Sequence, residues 1–258
     1  MKIVVLAKEV PDTYGQRTLN LETGLAERDS SDKVMDEVSE RALEVAISYA
    51  AEHPGTEVVL LGAGPESAAV TLRKGLAAGA DSAVHVLDAG LLGADTVLTA
   101  QVLAAAVARG HYDLVIAGNS STDGGAGVVH AMIAEILELP QLTNLNSVAI
   151  TDAEVSGERA IDGGTVQASA SLPAVISVTE QLPDLRFANF KGIMAAKKKP
   201  LETLTLEELA VEPNDPEAAR SIMIAAGERP ARSSGTVIID EGDAGEQLAA
   251  FLVQNRLA

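Results

Sequence analysis

Read as apolar and polar positions, the first 139 residues alternate between short apolar runs and longer segments with apolar residues three or four apart. The short runs, Ile3–Ala7, Glu57–Leu61, Ala83–Leu87 and Leu114–Ala117, predict buried strands. The periodic segments predict helices. The first runs from about Val34 to Glu52, with Val34, Val38, Ala42, Val45 and Tyr49 on one face and Ser31 or Asp32 as its cap. Pro54-Gly55 stops it. A second helix is expected over Glu66–Ala78 with Leu72 and Leu76 inward, and a third over Asp95–Ala108 with Asp95 as cap. A fourth follows over Val128–Leu137, where Val128, Met132, Ile136 and Leu139 mark the apolar side. Strands alternating with helices predict an α/β fold: a doubly wound, mostly parallel sheet with helices on both faces.

Beyond Pro140 the pattern changes. Asn146–Thr151, Glu154–Ala160, Gly164–Ser171 and Ala174–Val178 predict one further strand of the main sheet and an antiparallel extension, so residues 1–185 form one principal α/β domain. Within it, residues 12–33 are polar, with Thr18–Leu21 predicting a short edge hairpin. Residues 186–200 hold two of the three Phe residues, Phe187 and Phe190, as either core groups or exposed binding anchors. The basic run Lys197-Lys198-Lys199 is either a solvated helix end or a contact for an acidic partner. Leu204–Leu209 predicts one capped helical turn. Residues 210–240 carry three prolines and little periodicity, and Asp243–Asn255 returns to an amphipathic helix with Leu248, Phe251 and Leu252. Residues 201–258 therefore suggest an arm laid over the chain's own domain or over another subunit.

Right-handed crossovers bring the loops that follow parallel strands to one edge of the sheet, so Lys8–Pro11, Gly62–Pro65 and Gly118–Gly127 are expected to converge on a cleft. The last of these, Gly118-Asn119-Ser120-Ser121-Thr122-Asp123-Gly124-Gly125-Ala126-Gly127, joins a strand to a helix that opens on Val128 and Val129. Such a loop presents backbone N–H groups to an anion, glycines allow close approach, and hydroxyls add hydrogen bonds to phosphate or ribose. It is neither G-x-G-x-x-G nor G-x-x-x-x-G-K-[ST], so a flexible loop capped by Thr122 or Asp123 is the competing reading.

Composition narrows the function classes. A formal net charge of −18 argues against nucleic acid or anionic lipid as partner. The absence of cysteine removes disulfides, thiol nucleophiles and iron–sulfur ligation, and fits a cytoplasmic protein. The apolar start is too short for a signal peptide, and no 18-residue uncharged apolar span predicts a membrane helix. The four histidines form no metal-ligand spacing; His130 alone lies close to the glycine loop. No nucleophile–base–orienter set is visible, so the chain is not expected to be an enzyme by itself, and a redox role requires a bound cofactor. Lys8 and the acidic start of the first helix, Asp36, Glu37 and Glu40, face either the cleft or solvent.

These pieces, in this order, resemble the beta subunit of electron transfer flavoproteins over nearly the whole chain. The matching segments are Val4–Asp12, Asp36–Ala42, Gly64-Pro65, Arg73-Lys74 with Gly79–Asp81, Gly118–Gly127, Leu172–Val175 and Gly192–Lys199. The resemblance implies a heterodimer with an alpha subunit that holds most of a redox-active FAD, and a structural AMP in this chain. It implies electrons taken from acyl-CoA and related dehydrogenases and passed to a membrane quinone oxidoreductase. It places Leu6, Lys8, Ala63 and Gly118–Val129 around AMP, with Asp36, Glu37, Val38 and Ser39 as the other wall. It makes 186–200 a partner recognition loop anchored by Phe190 where the family has leucine, and it makes the C-terminal arm a surface for the alpha subunit. Ala195 stands where some mitochondrial members have a modifiable lysine. A nucleotide-binding regulatory protein of the universal-stress type shares the sheet and the glycine loop, and is the alternative.

Overall fold

The structure is a computed structural model that describes residues 1–15, 17–232 and 235–257. In chain order its elements are β1 (Lys2–Leu6), β2 (Glu9–Pro11), β3 (Lys33–Met35), α1 (Glu37–Glu52), β4 (Glu57–Ala63), α2 (Ala68–Ala78) and β5 (Ser82–Val86). Then come α3 (Thr96–Gly110), β6 (Leu114–Gly118), α4 (Val129–Ile136), β7 (Gln141–Leu145), β8 (Ser147–Ile150), β9 (Glu154–Ile161) and β10 (Gly164–Ser171). The chain continues with β11 (Ala174–Val178), α5 (Phe190–Ala196), β12 (Leu201–Leu204) and α6 (Ala244–Gln254).

Seven strands form the main sheet in the order β12-β5-β4-β1-β6-β11-β7, and every pair in it is parallel. Strand alternation divides the side chains between two cores. Ile3 and Val5 of β1 face α1 and α2, and Val4 faces α3 and α4. The sheet is thus doubly wound, as the sequence pattern predicts. From β1 the chain steps outward through β4 and β5, then crosses back to place β6 on the other side of β1. That reversal opens a crevice at the carboxyl ends of β1 and β6. The antiparallel extension is the separate sheet β10-β9-β8, packed through Val155 on the α1 side.

Several elements differ from the sequence pattern. Lys33–Met35 is a strand that pairs antiparallel with Glu9–Pro11, so α1 starts at Glu37 and its cap is Asp36 rather than Ser31 or Asp32. Residues 19–26 close a hairpin through a single bridge, Leu19 with Ala26. α4 buries His130, Ile133 and Ala134, while Val128 and Ile136 are exposed. In a helix that is apolar nearly all round, a spacing of three and four does not choose the face. β7 is a second additional strand of the main sheet, and β12 is its edge. The segment from 201 is therefore not all arm: Leu201–Leu204 pairs with β5, and Leu206 and Leu209 sit in the core. Thr205 and Glu208 cap the turn between them reciprocally, Thr205 N to Glu208 Oε2 at 2.8 Å and Glu208 N to Thr205 Oγ1 at 3.2 Å. The arm proper follows, and is traced here over its described residues, without Ser233, Ser234 and Ala258.

Candidate functional site

The crevice holds a cavity of about 320 Å³, at the small end of ligand pockets. Its walls come from the carboxyl ends of β1, β4 and β6, the start of α1, the start of α3, and the β6–α4 loop. Leu6, Leu61, Ala63, Leu103 and Ala117 give it apolar sides; Ser39, Thr96, Asn119, Ser120 and Ser121 give it hydroxyls and an amide. Two glycines explain how the loop fits. A Cβ at Gly118 would stand 2.4 Å from Val38 Cγ2, so only glycine lets β6 pass under the start of α1. Gly127 has φ +63°, which turns the loop into α4. The first helical bond of α4 is donated by Met132 N to Val128 O at 2.9 Å. The N–H groups of Val129, His130 and Ala131 before it have no helical acceptor, an arrangement that can receive an anion.

The charged groups beside this turn are tied down. Asp36, 1 % exposed, accepts from Thr122 N at 2.8 Å and Thr122 Oγ1 at 2.9 Å, and caps α1 through Val38 N at 3.3 Å. Asp123 binds Lys8 Nζ at 2.6 Å and Arg28 Nη2 at 3.2 Å, and Lys8 Nζ also reaches Ser121 Oγ at 3.0 Å. Burial would raise the Asp123 pKa, but the hydrogen bond and charge of Lys8 prevail and hold it down at about 2. Arg17 binds both the carbonyl and the hydroxyl of Thr122. On the far wall Asp95 caps α3 through Leu98 N at 2.8 Å, and its other oxygen accepts from Ser221 N of the C-terminal arm at 2.6 Å. Burial would raise its pKa, but these backbone bonds hold it low. Among the described residues no group of three or more His, Cys, Asp or Glu is placed to hold a metal ion.

Comparison with known proteins decides the family. The electron transfer flavoprotein domain family matches residues 23–209. The electron transfer flavoprotein subunit beta of Mycobacterium tuberculosis is 45% identical over 262 residues, covering 99% of this chain and 98% of that one. That of Mycobacterium leprae is 44% identical over the same shares. That of Bacillus subtilis is 33% identical over 218 residues, 84% of each chain. The chain belongs to the electron transfer flavoprotein beta subunits. Its general role is accordingly electron transfer, and the universal-stress alternative is set aside.

Within this beta subunit most of the residues singled out from sequence do meet. Leu6, Lys8, Asp36, Val38, Ser39, Ala63, Gly118–Ser121, Gly124 and Ala126–Val129 line the cavity. Glu37 does not: it is on the exposed side of α1, paired with Arg41 at 2.9 Å. Thr122, Asp123 and Gly125 form the outer side of the loop and fasten it. The residues that sequence reasoning missed are Ala7, Leu61 and Ala117 at the strand ends and, on the α3 wall, Ala94–Thr96, Thr99 and Leu103; His130, noticed for its place beside the glycine loop, also lines the cavity. The available signal was topological, since α3 follows β5 and its capped start rises on the same sheet edge.

The two Phe residues of 186–200 are not core groups: Phe187 is 100 % and Phe190 79 % exposed. The segment that carries them is stapled at both ends. Arg186 pairs with Glu44 at 2.6 Å and reaches Ser48 at 2.8 Å. At the other end Arg73 Nη1 donates to Ala196 O and Lys199 O at 2.8 and 2.6 Å, and Lys199 Nζ to Leu76 O and Ala80 O at 3.0 and 2.5 Å. Lys199 thus closes the C-terminus of α2, which leaves Lys197 and Lys198 as the solvent-facing part of the basic run. α6 buries no residue, and Leu248, Phe251, Val253 and Leu257 are exposed. No helix among the described residues is long and apolar enough to cross a membrane.

Proposed function

We propose that this chain is a carrier subunit, not an enzyme in its own right, and that its cavity holds a structural AMP. The observation that supports this best is the meeting of three strand ends and the unpaired first turn of α4 around one mononucleotide-sized space. Gly118–Ser121 and Gly124–Val129 wrap the nucleotide, the N–H groups of the α4 first turn take the phosphate, and Leu6, Ala63, Val38 and Ser39 close the other side. Lys8, Asp36, Thr122 and Asp123 hold the loop in shape. FAD, bound mostly by an alpha subunit, supplies the electron chemistry. The exposed apolar side of α6 and the arm before it form the surface on which that subunit rests.

In the same reading residues 186–200 dock the donor, an acyl-CoA or related dehydrogenase, through Phe190. The electrons leave to a membrane quinone oxidoreductase, and the heterodimer works in the cytoplasm without nucleic acid. The test is direct. The heterodimer, purified without stripping and then denatured, releases one AMP for each FAD by chromatography of the supernatant. FAD without an adenine mononucleotide overturns the assignment of the cavity.

A further inference from the structure

His130 stands apart among the titratable groups of the cavity wall. Lys8 is held by Ser121 and Asp123, Asp36 by Thr122 and Val38, and Asp95 by Leu98 and Ser221. His130 is 5 % exposed and lines the cavity; among the described residues its ring nitrogens make no hydrogen bond and are open to that space. The other buried histidine, His85, has Nε2 3.1 Å from Gly64 O. A largely buried imidazole whose nitrogens open onto the cavity is placed to bond a ligand atom there.

Its position specifies the kind of atom. His130 is the second residue of α4, and side chains on a helix tilt towards its N-terminus. The ring therefore leans to the end where the free N–H groups and the positive helix pole favour an anion. β11 and β7, the strands under α4, carry no titratable side chain. α3 alongside contributes only Asp95 at its start and Arg109 at its far end. Glu135 is on the exposed side of α4 itself, and Asp123 in the preceding loop is paired with Lys8 and Arg28. Across the cavity the charges are Lys8 and Asp36, both engaged as above. Burial lowers the His130 pKa and so favours the neutral ring.

We propose that the His130 imidazole donates a hydrogen bond to the phosphate of the nucleotide in this cavity and takes up a proton in doing so. The inference rests on the nucleotide assignment above and adds a ligand to it. A phosphate dianion one hydrogen bond away favours imidazolium and raises the pKa. AMP affinity then increases as pH falls through the raised, bound-state pKa, and levels off below the lowered, free-state one.

The test uses the heterodimer with this chain carrying ¹³C-labelled histidine, freed of nucleotide by dialysis. The His130 resonance, assigned from the variant His130→Gln, is titrated alone, with adenosine and with AMP. AMP raises its proton affinity at least tenfold and adenosine does not. His130→Gln weakens AMP about tenfold at pH 7 and leaves adenosine binding unchanged. Should the variant fail to assemble, substitutions of His53, His85 and His111 assign the resonance by elimination. AMP binding with no more effect on His130 than adenosine overturns the proposal and leaves the nucleotide site standing. Failure of both ligands to bind overturns the nucleotide assignment, and the proposal with it.

Discussion

A single carboxylate, Asp36, fixes both the start of α1 and the outer side of the glycine loop, by bonds to Val38 N and to Thr122. Its neighbour in function is Asp123, whose pKa is depressed to about 2. A depressed carboxylate stabilises the fold fully above its ordinary pKa, and that contribution is lost as pH falls through the folded value. Asp123→Asn is expected to lower stability by about 1 kcal/mol near neutrality, a figure discounted for solvent screening. The gap between wild type and variant, read from urea unfolding, should narrow as the pH is taken from 4 towards 2. A gap that stays constant over that range would place the stabilisation elsewhere. From sequence, Asp36 reads as a cleft contact or as an acidic group at the start of the helix, with the cap placed earlier at Ser31 or Asp32. Its capping role is hidden because Val34 and Met35 read as helix instead of strand, and its bond to Thr122 spans 86 positions and needs the fold.

At the level of elements, long alternating segments were legible and short ones were not. β1, β4 and β6 are apolar runs buried on both faces, which is what a central parallel strand requires. β12 and β3 are three or four residues long with half-exposed patterns, and nothing local distinguishes them from loop. In the proposed docking of the donor, α5 is the element that bears on partner choice. Its ends are pinned by Arg186, Arg73 and Lys199, so Phe190 projects from a fixed base rather than from a mobile loop. A rigid exposed ring on a pinned helix has little entropy left to lose on docking. Phe190→Ala is therefore expected to weaken productive encounter with the donor dehydrogenase by roughly 2 kcal/mol, about thirtyfold, with flavin content unchanged. Stopped-flow reduction of the heterodimer at varied dehydrogenase concentration checks it; identical curves for the two proteins would remove Phe190 from the docking surface.

Over the whole molecule, the contrast is between a dense sheet domain and an arm with large apolar side chains in water. Ile222, Ile224, Val237 and Ile239 are at least three-quarters exposed, and α6 adds a further apolar side. The sequence announced this by its prolines and lack of periodicity, but the point where sheet ends and arm begins was hidden by β12. Truncation after Val211 should leave a cooperatively folding domain by circular dichroism while abolishing retention of the alpha subunit on size-exclusion chromatography. Undiminished co-elution would assign the alpha-subunit surface to another part of the molecule.

Asp95 joins these two regions, one oxygen on α3 and the other on the arm. Asn or Ser in place of Asp95 keeps one oxygen for the cap on Leu98 N and removes the second acceptor that Ser221 N uses. The arm's side of the bond is a main-chain amide, so ordinary side-chain changes at Ser221 leave it in place. Proline at 221, having no N–H, would remove the same bond from the arm's side and spare the helix cap, while Arg220 still holds Gln101 of α3 at 2.7 Å. The tether between arm and helix can thus be loosened one bond at a time, with the start of α3 left intact.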